Sequence, residues 1–170
     1  MKNLHKNELM IKINQGIAIV LMYLFFPGLV YASDFQEGLT AIHETNYEKA
    51  LEILMPLAEH GHPAAQYNIG VMHEWGNGVP KNNFSALKWY KLAAEHSHQD
   101  AQNNLGAMYS KGEGTDQDFV EALKWFIISS KNGSEGGQKN IRIVEKRMTY
   151  EQISQAQLLA NNWMKTHRKK

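Results

Sequence analysis

Residues 65–90 read AQYNIGVMHEWGNGVPKNNFSALKWY, and residues 101–126 read AQNNLGAMYSKGEGTDQDFVEALKWF. Laid over each other at an offset of 36, the stretches share eleven residues without a gap, from Ala65, Gln66, Asn68, Gly70 and Met72 through Gly76 and Gly78 to Ala86, Leu87, Lys88 and Trp89. The register also runs backwards. Ala50, Leu51, Ala58, Glu59, His60 and His62 stand 36 residues before Ala86, Leu87, Ala94, Glu95, His96 and His98. A fixed period of this length marks a repeat architecture, in which each unit buries its apolar face only by stacking on its neighbours.

Each unit reads as two antiparallel helices. Pro63 suits a first helical position, where a missing N–H costs nothing, and Ala65, Ile69, Met72 and His73 then share one face. Gly76 closes that helix with a left-handed cap. Asn82 caps the next, whose apolar stripe is Leu87, Tyr90, Ala93 and Ala94, with Trp89 alongside. One unit later, Asp118 and Glu121 form a capping box before Val120, Leu123 and Phe126. Gly70 and Gly106 sit mid-helix, where glycine costs about 1 kcal/mol, so their recurrence predicts a crossing too close for a Cβ. From Gly38 to Ala50 is 12 residues, against 16 from Gly70 to Ala86, so the first hairpin has a turn shorter by four, capped by Asn46. Pro56 predicts a kink in its second helix. After Gly136-Gly137 the repeat is expected to stop. Ile141 and Val144 mark a short helix, and Thr149 with Gln152 starts a last one bearing Ile153, Ala156, Ala160 and Trp163, a cap for the exposed apolar end.

On these residues the chain resembles the Sel-1-like repeat family, a branch of the tetratricopeptide superfamily. The resemblance rests on Ala65 to Gly70, Gly76 to Pro80 and Ala86 to Tyr90, then on Leu105 to Tyr109, Gly112 to Gly114 and Ala122 to Phe126. It implies an all-α, right-handed α-α solenoid. With the residues outside the repeats, the expected organisation is a signal peptide over 1–32, a tetratricopeptide-like hairpin over 34–62, Sel-1-like repeats over 63–98 and 99–135, and capping helices over 138–166. His73 stands where the family usually has Tyr, and Thr115-Asp116 replaces the usual Val-Pro. Secreted relatives staple each repeat with a disulfide; this chain has no cysteine, and activities ascribed to that branch are not carried over.

Composition narrows the function classes. The 170 residues carry a formal charge of +1, with 43% apolar and 21% charged residues, which is globular composition. The near-neutral total hides a bipolar chain. Residues 33–138 hold seven basic against fourteen acidic residues, and residues 139–170 hold eight basic against two acidic. An acidic body excludes a nucleic-acid partner. Gly16 to Val30 is an uncharged apolar run, short of the ~20 residues that span a bilayer. Preceded by lysines and followed by Val30-Tyr31-Ala32, it has the layout of a secretory signal cleaved after Ala32. The expected location is the periplasm or beyond, with the membrane touched only through that segment if it is uncleaved.

No reaction chemistry stands out. His60, His62, His96 and His98 form two His-x-His pairs, but they are related by the repeat. Equivalent helices lie ~8–10 Å apart, whereas zinc needs every ligand at about 2.1 Å. Gly-x-Gly at Gly76 and Gly112 follows a helix rather than a strand, so it marks a turn and not a phosphate cradle. No serine sits in a nucleophile elbow. The expectation is a non-enzymatic protein without cofactor or metal: a scaffold or adaptor of the cell envelope that binds a protein or peptide on its concave face. The alternative is a cell-wall accessory protein that binds glycan or modulates a peptidoglycan enzyme. By the tetratricopeptide resemblance, the first helix of each hairpin lines the concave side. That places Tyr67, Val71, Glu74 and Trp75, then Asn103, Ala107, Ser110 and Lys111, on the binding face, away from the core.

Overall fold

The computed structural model describes residues 27–167, with side chains from Ser33 onward. The signal segment expected over 1–32 therefore lies outside the described residues up to position 26, as does the basic tail from position 168. Eight helices follow one another: α1 (Pro27–His43), α2 (Tyr47–Glu59), α3 (Pro63–Trp75), α4 (Asn83–Glu95), α5 (Gln99–Lys111), α6 (Phe119–Lys131), α7 (Glu135–Val144) and α8 (Tyr150–Thr166). A 3₁₀ turn, Glu145–Arg147, precedes α8. Among the described residues there is no strand. Helices α1–α2, α3–α4 and α5–α6 are the three expected hairpins, and they stack through α2 on α3 and α4 on α5.

Helix ends follow local chemistry. Asn46 and Asn82 accept the N–H of Lys49 at 3.3 Å and of Ser85 at 3.0 Å. Gly76 and Gly112 close α3 and α5 at φ 77° and 72°, the left-handed region that glycine enters without strain. Two caps were not foreseen. His62 and His98 turn Nδ1 onto the N–H of Ala65 and Ala101, at 3.2 and 3.3 Å, so these histidines start helices. The box at Asp118 is half formed. Its carboxylate takes the N–H of Val120 and Glu121, but Glu121 turns away to Lys124 Nζ at 2.9 Å. The box at Thr149 and Gln152 is complete. The first turn spans residues 44–46 against 76–82 in the second, shorter by the four residues expected. Helix α2 runs through Pro56 as one element.

The mid-helix glycines do mark close crossings. A Cβ on Gly70 would lie 2.7 Å from the ring of Tyr90, and one on Gly106 would lie 2.7 Å from the ring of Phe126 and 3.0 Å from the Ala122 carbonyl. Each glycine thus receives an aromatic ring from its hairpin partner. Around these contacts Leu54, Ile69, Met72, Tyr90, Leu105, Met108 and Leu123 are buried in a core that continues from hairpin to hairpin.

The repeat extends further than the sequence predicts. Ser134 stands 36 residues after His98 and caps α7 in the same way, through the N–H of Gly137 at 3.2 Å. Asn140, Ile141 and Val144 repeat Asn104, Leu105 and Met108, and Val144 is buried. Gly136 and Gly137 do not interrupt the chain; they form the first turn of α7, where a Cβ on Gly137 would come within 2.8 Å of the Ser130 nitrogen. The signature fails because Arg142 stands at the Gly106 position, and no described helix closes on α7 there as Phe126 of α6 does on α5. Helix α8 crosses back over α6 instead, burying Ala156 and Ala160 and laying Trp163 edge-on to Trp125, ring centres 5.6 Å apart.

Candidate protein-binding face

The eight residues placed on the concave face divide by environment. Trp75 and Lys111, at the C-terminal ends of α3 and α5, are exposed, Trp75 at 68%. Lys111 pairs loosely with Glu113 at 3.5 Å. The other six are half-buried and most carry packing or hydrogen-bond duty, contrary to the expectation that they are free of it. Tyr67 stacks on the ring of His98, centroids 4.7 Å apart, and tilts against Tyr90. Val71 packs on the core of the second and third hairpins, and Ala107 on the core beneath α8. Glu74 accepts the Tyr90 hydroxyl at 2.5 Å. Asn103 accepts the amide of Asn140 at 2.9 Å. Ser110 gives its carbonyl to Gln117 Nε2 at 2.8 Å. The physical reason is twofold: Glu74 and Ser110 are engaged by their own hairpin, through Tyr90 and Gln117, while Tyr67 and Asn103 meet the start of the next unit, at His98 and Asn140.

The repeat also shapes the electrostatics. Phe35 and Tyr67 each stand three residues before their helix's glycine, and each stacks on a capping histidine, Phe35 on His62 at 4.6 Å. Burial holds the His98 and His73 imidazoles below the ordinary histidine range. A neutral His98 keeps Nδ1 free to accept its helix N–H. Burial, then the bond to Glu74, raises the Tyr90 hydroxyl well above an ordinary tyrosine and keeps it a donor. The histidine pairs thus serve helix starts and ends. Among the described residues no three His, Asp or Glu side chains gather where a metal could bind. No described helix is long and apolar enough to cross a membrane.

Two exposed aromatics escaped the sequence reading. Phe84, in the first turn of α4, is 70% exposed, and Tyr150, opening α8, is 84% exposed. Both lie off their helix's apolar stripe, the signal that would have marked them. With Trp75 they follow or precede the turns at one edge of the stack, where α1, α3, α5 and α7 end. Residues 63–98 and 99–134 match the model of the Sel1 repeat. The chain carries two tandem Sel1 repeats. It is similar in structure to a protective antigen of uropathogenic Escherichia coli strains displaying an SLR fold, at 33% identity and TM-score 0.76 over 79% of this chain and 30% of that one. It is also similar to a Sel1 repeat protein from Oxalobacter formigenes, at 30% identity and TM-score 0.64 over 76% of this chain and 55% of that one. The chain thus spans about a third and about half of these two proteins. No curated protein matches it in sequence. Sel1 repeats generally mediate contacts between proteins, and their scaffold is typically non-catalytic.

Proposed function

We propose that this Sel1-repeat protein is a non-catalytic scaffold or adaptor of the cell envelope, exported by the segment ending at Ala32, that captures a protein or peptide partner. The observation that carries the reading is Trp75. It stands at the Lys111 position of the repeat, so the family pattern does not demand it, yet it is two-thirds exposed beside half-buried Glu74. An exposed tryptophan beside polar groups is the composition of a binding hot spot. Phe84, after the same turn, enlarges the apolar surface offered at that edge. Tyr67, locked against His98, supports the face rather than contacting the partner.

The test is crosslinking capture from intact cells, comparing the wild-type protein with Trp75→Ala and Phe84→Ala. Both side chains are exposed, so helical content and melting stay within about 0.5 kcal/mol of wild type while partner recovery falls at least tenfold for Trp75→Ala. Recovery unchanged by Trp75→Ala overturns the assignment. Trp75-dependent retention on purified peptidoglycan sacculi, without a protein partner, transfers the protein to the glycan-binding reading.

A further inference from the structure

We propose that the two ends of the solenoid are complementary, and that copies of this chain join head to tail: the acid-rimmed groove on α1–α2 of one copy receives the basic outer face of α7 of the next. The groove measures about 460 Å³ and is floored by Ile53, Pro56 and Leu57, with Asp34, Glu37 and Glu52 around it. Lys49 and His60 also line it, and the Lys49 ammonium is taken by Glu37 at 2.8 Å, which among the described residues leaves Asp34 and Glu52 uncompensated by an ion pair. The rim is therefore net acidic.

The repeat explains why this groove exists. Ile53, Trp89 and Trp125 are equivalent at intervals of 36 residues. Trp89 packs back on the core of the first hairpin and of α3, and Trp125 on the core of the second hairpin and of α5. Ile53 occupies the same position in a hairpin with no described hairpin before it. The groove is the socket that each unit builds for its predecessor, and among the described residues nothing fills it at the head of the stack.

The tail carries the matching chemistry. Lys139, Arg142, Ile143 and Lys146 recur at i, i+3, i+4 and i+7 along α7 and its 3₁₀ extension, and all four are exposed, Ile143 at 52%. Because α8 crosses back to α6, no described helix follows α7 as its hairpin partner in the way that α6 follows α5. An apolar residue among three cations at one end thus meets an apolar floor beside two uncompensated carboxylates, Asp34 and Glu52, at the other. A heterologous contact of this kind does not close on itself, and it yields open chains rather than a fixed dimer. It involves neither Trp75 nor Phe84, so it stands or falls independently of the partner-binding face.

Sedimentation of the purified protein tests the proposal. At low salt the average mass should rise with concentration. Between ~20 mM and ~500 mM salt, as screening shortens to a few ångströms, the concentration of half-association should rise at least tenfold. Asp34→Lys with Glu52→Lys, and separately Arg142→Glu with Lys146→Glu, should each give monomers; mixing the two variants should restore association, because each supplies the end the other lacks. Ile143→Ser, at an exposed site, should give a monomer by a route that leaves the net charge of the tail unchanged. The chain has no native cysteine, so Glu52→Cys mixed with Arg142→Cys should form a disulfide-linked heterodimer in preference to either homodimer. A monomer at every concentration, an association indifferent to salt, or charge-reversed variants that still self-associate overturns the proposal. So does a crosslink from position 52 to residues 1–26 of the same chain, or Arg142-dependent binding to phosphatidylglycerol vesicles by a protein that stays monomeric.

Discussion

Hairpins α3–α4 and α5–α6 share one backbone plan and finish it differently. Both seat an aromatic ring on a helix glycine, but the ring is Tyr90 in the first and Phe126 in the second. The buried tyrosine must give its hydroxyl an acceptor and finds Glu74; the phenylalanine needs none, and Ser110 stands in the glutamate's place. Both bury a glutamine that donates to the end of the preceding helix, Gln66 to the Ala58 carbonyl and Gln102 to that of Ala94. Gln102 Oε1 also accepts the amide of Asn132 at 2.8 Å, whereas Gln66 Oε1 is buried without a partner. Helix α8 shelters the later hairpin, while Phe84 and Leu92 of the earlier one face solvent. The repeat dictates the backbone, and the neighbours of each unit decide how well its side chains are satisfied.

The shared plan breaks most severely at its glycines. Gly106→Leu forces a branched side chain into the ring of Phe126 and the Ala122 carbonyl, and should cost about 3 kcal/mol or more. Gly70→Leu meets the ring of Tyr90 without a backbone atom among its closest contacts, so it should cost measurably less. Urea melts of the two variants check both the size and the order. Equal, small losses mean that the rings swing aside and that the glycines are not there for the crossing.

Tyr90→Phe converts the earlier hairpin to the chemistry of the later one at a single atom. It leaves the Glu74 carboxylate half-buried without its donor, and a hydrogen bond to a charged group is worth about 1.5–3 kcal/mol. Partial exposure of Glu74 should bring the loss to about 1–2 kcal/mol. The reverse change, Phe126→Tyr, should cost at least as much, because Ser110 offers no carboxylate to the new hydroxyl. Chemical denaturation of both variants measures the asymmetry.

How much of this was legible depends on whether a feature is repeated. Gly70 and Gly106, the turn lengths and the caps at Asn46 and Asn82 are local and periodic, and the capping box at Thr149 is local, so the sequence announces them. Helix α7 is periodic as well, but its caps and core residues persist while its glycine has become Arg142, and the pattern breaks at its most visible letter. The binding face was read less well. Tyr67 and Val71 are surface positions of an isolated hairpin and packing positions of a stacked one, and that difference is tertiary. Phe84 and Tyr150 lie off the apolar stripes, where periodicity assigns them no role.

Protonation distinguishes the caps. His98 has a folded-state pKa below the unfolded value near 6.5, because burial disfavours the cation. Below that pH the unfolded chain takes up a proton that the folded chain refuses, so stability is lost as the pH falls from about 6.5 toward the folded pKa. His73 adds to the loss with the same sign, also through burial. Ser134 fills the equivalent cap of α7 with a hydroxyl that does not titrate in this range. His98→Ser should therefore keep the helix start, lose the stack on Tyr67, and flatten the fall in melting temperature between pH 7 and pH 5. An unchanged slope assigns the acid sensitivity to groups other than this cap.

The smallest effect expected is a gain. His96 stands 36 residues before Asn132, and each caps the C-terminal end of the second helix in its hairpin. Asn132 reaches Gln102 Oε1 from that position with its amide, and the same donor is missing above Gln66. His96→Asn places the amide where the repeat already shows that it fits. Supplying a partner to a buried acceptor is worth about 1 kcal/mol, and loss of the exposed imidazole should offset part of it. The net gain should be about 0.5–1 kcal/mol, a rise in melting temperature of about 1–4 °C for a chain of this size. The gain should vanish in a Gln66→Leu background, which removes the acceptor. A gain that survives there belongs to the helix end itself and not to the glutamine, and it would remove the buried-glutamine difference from the comparison of the two hairpins.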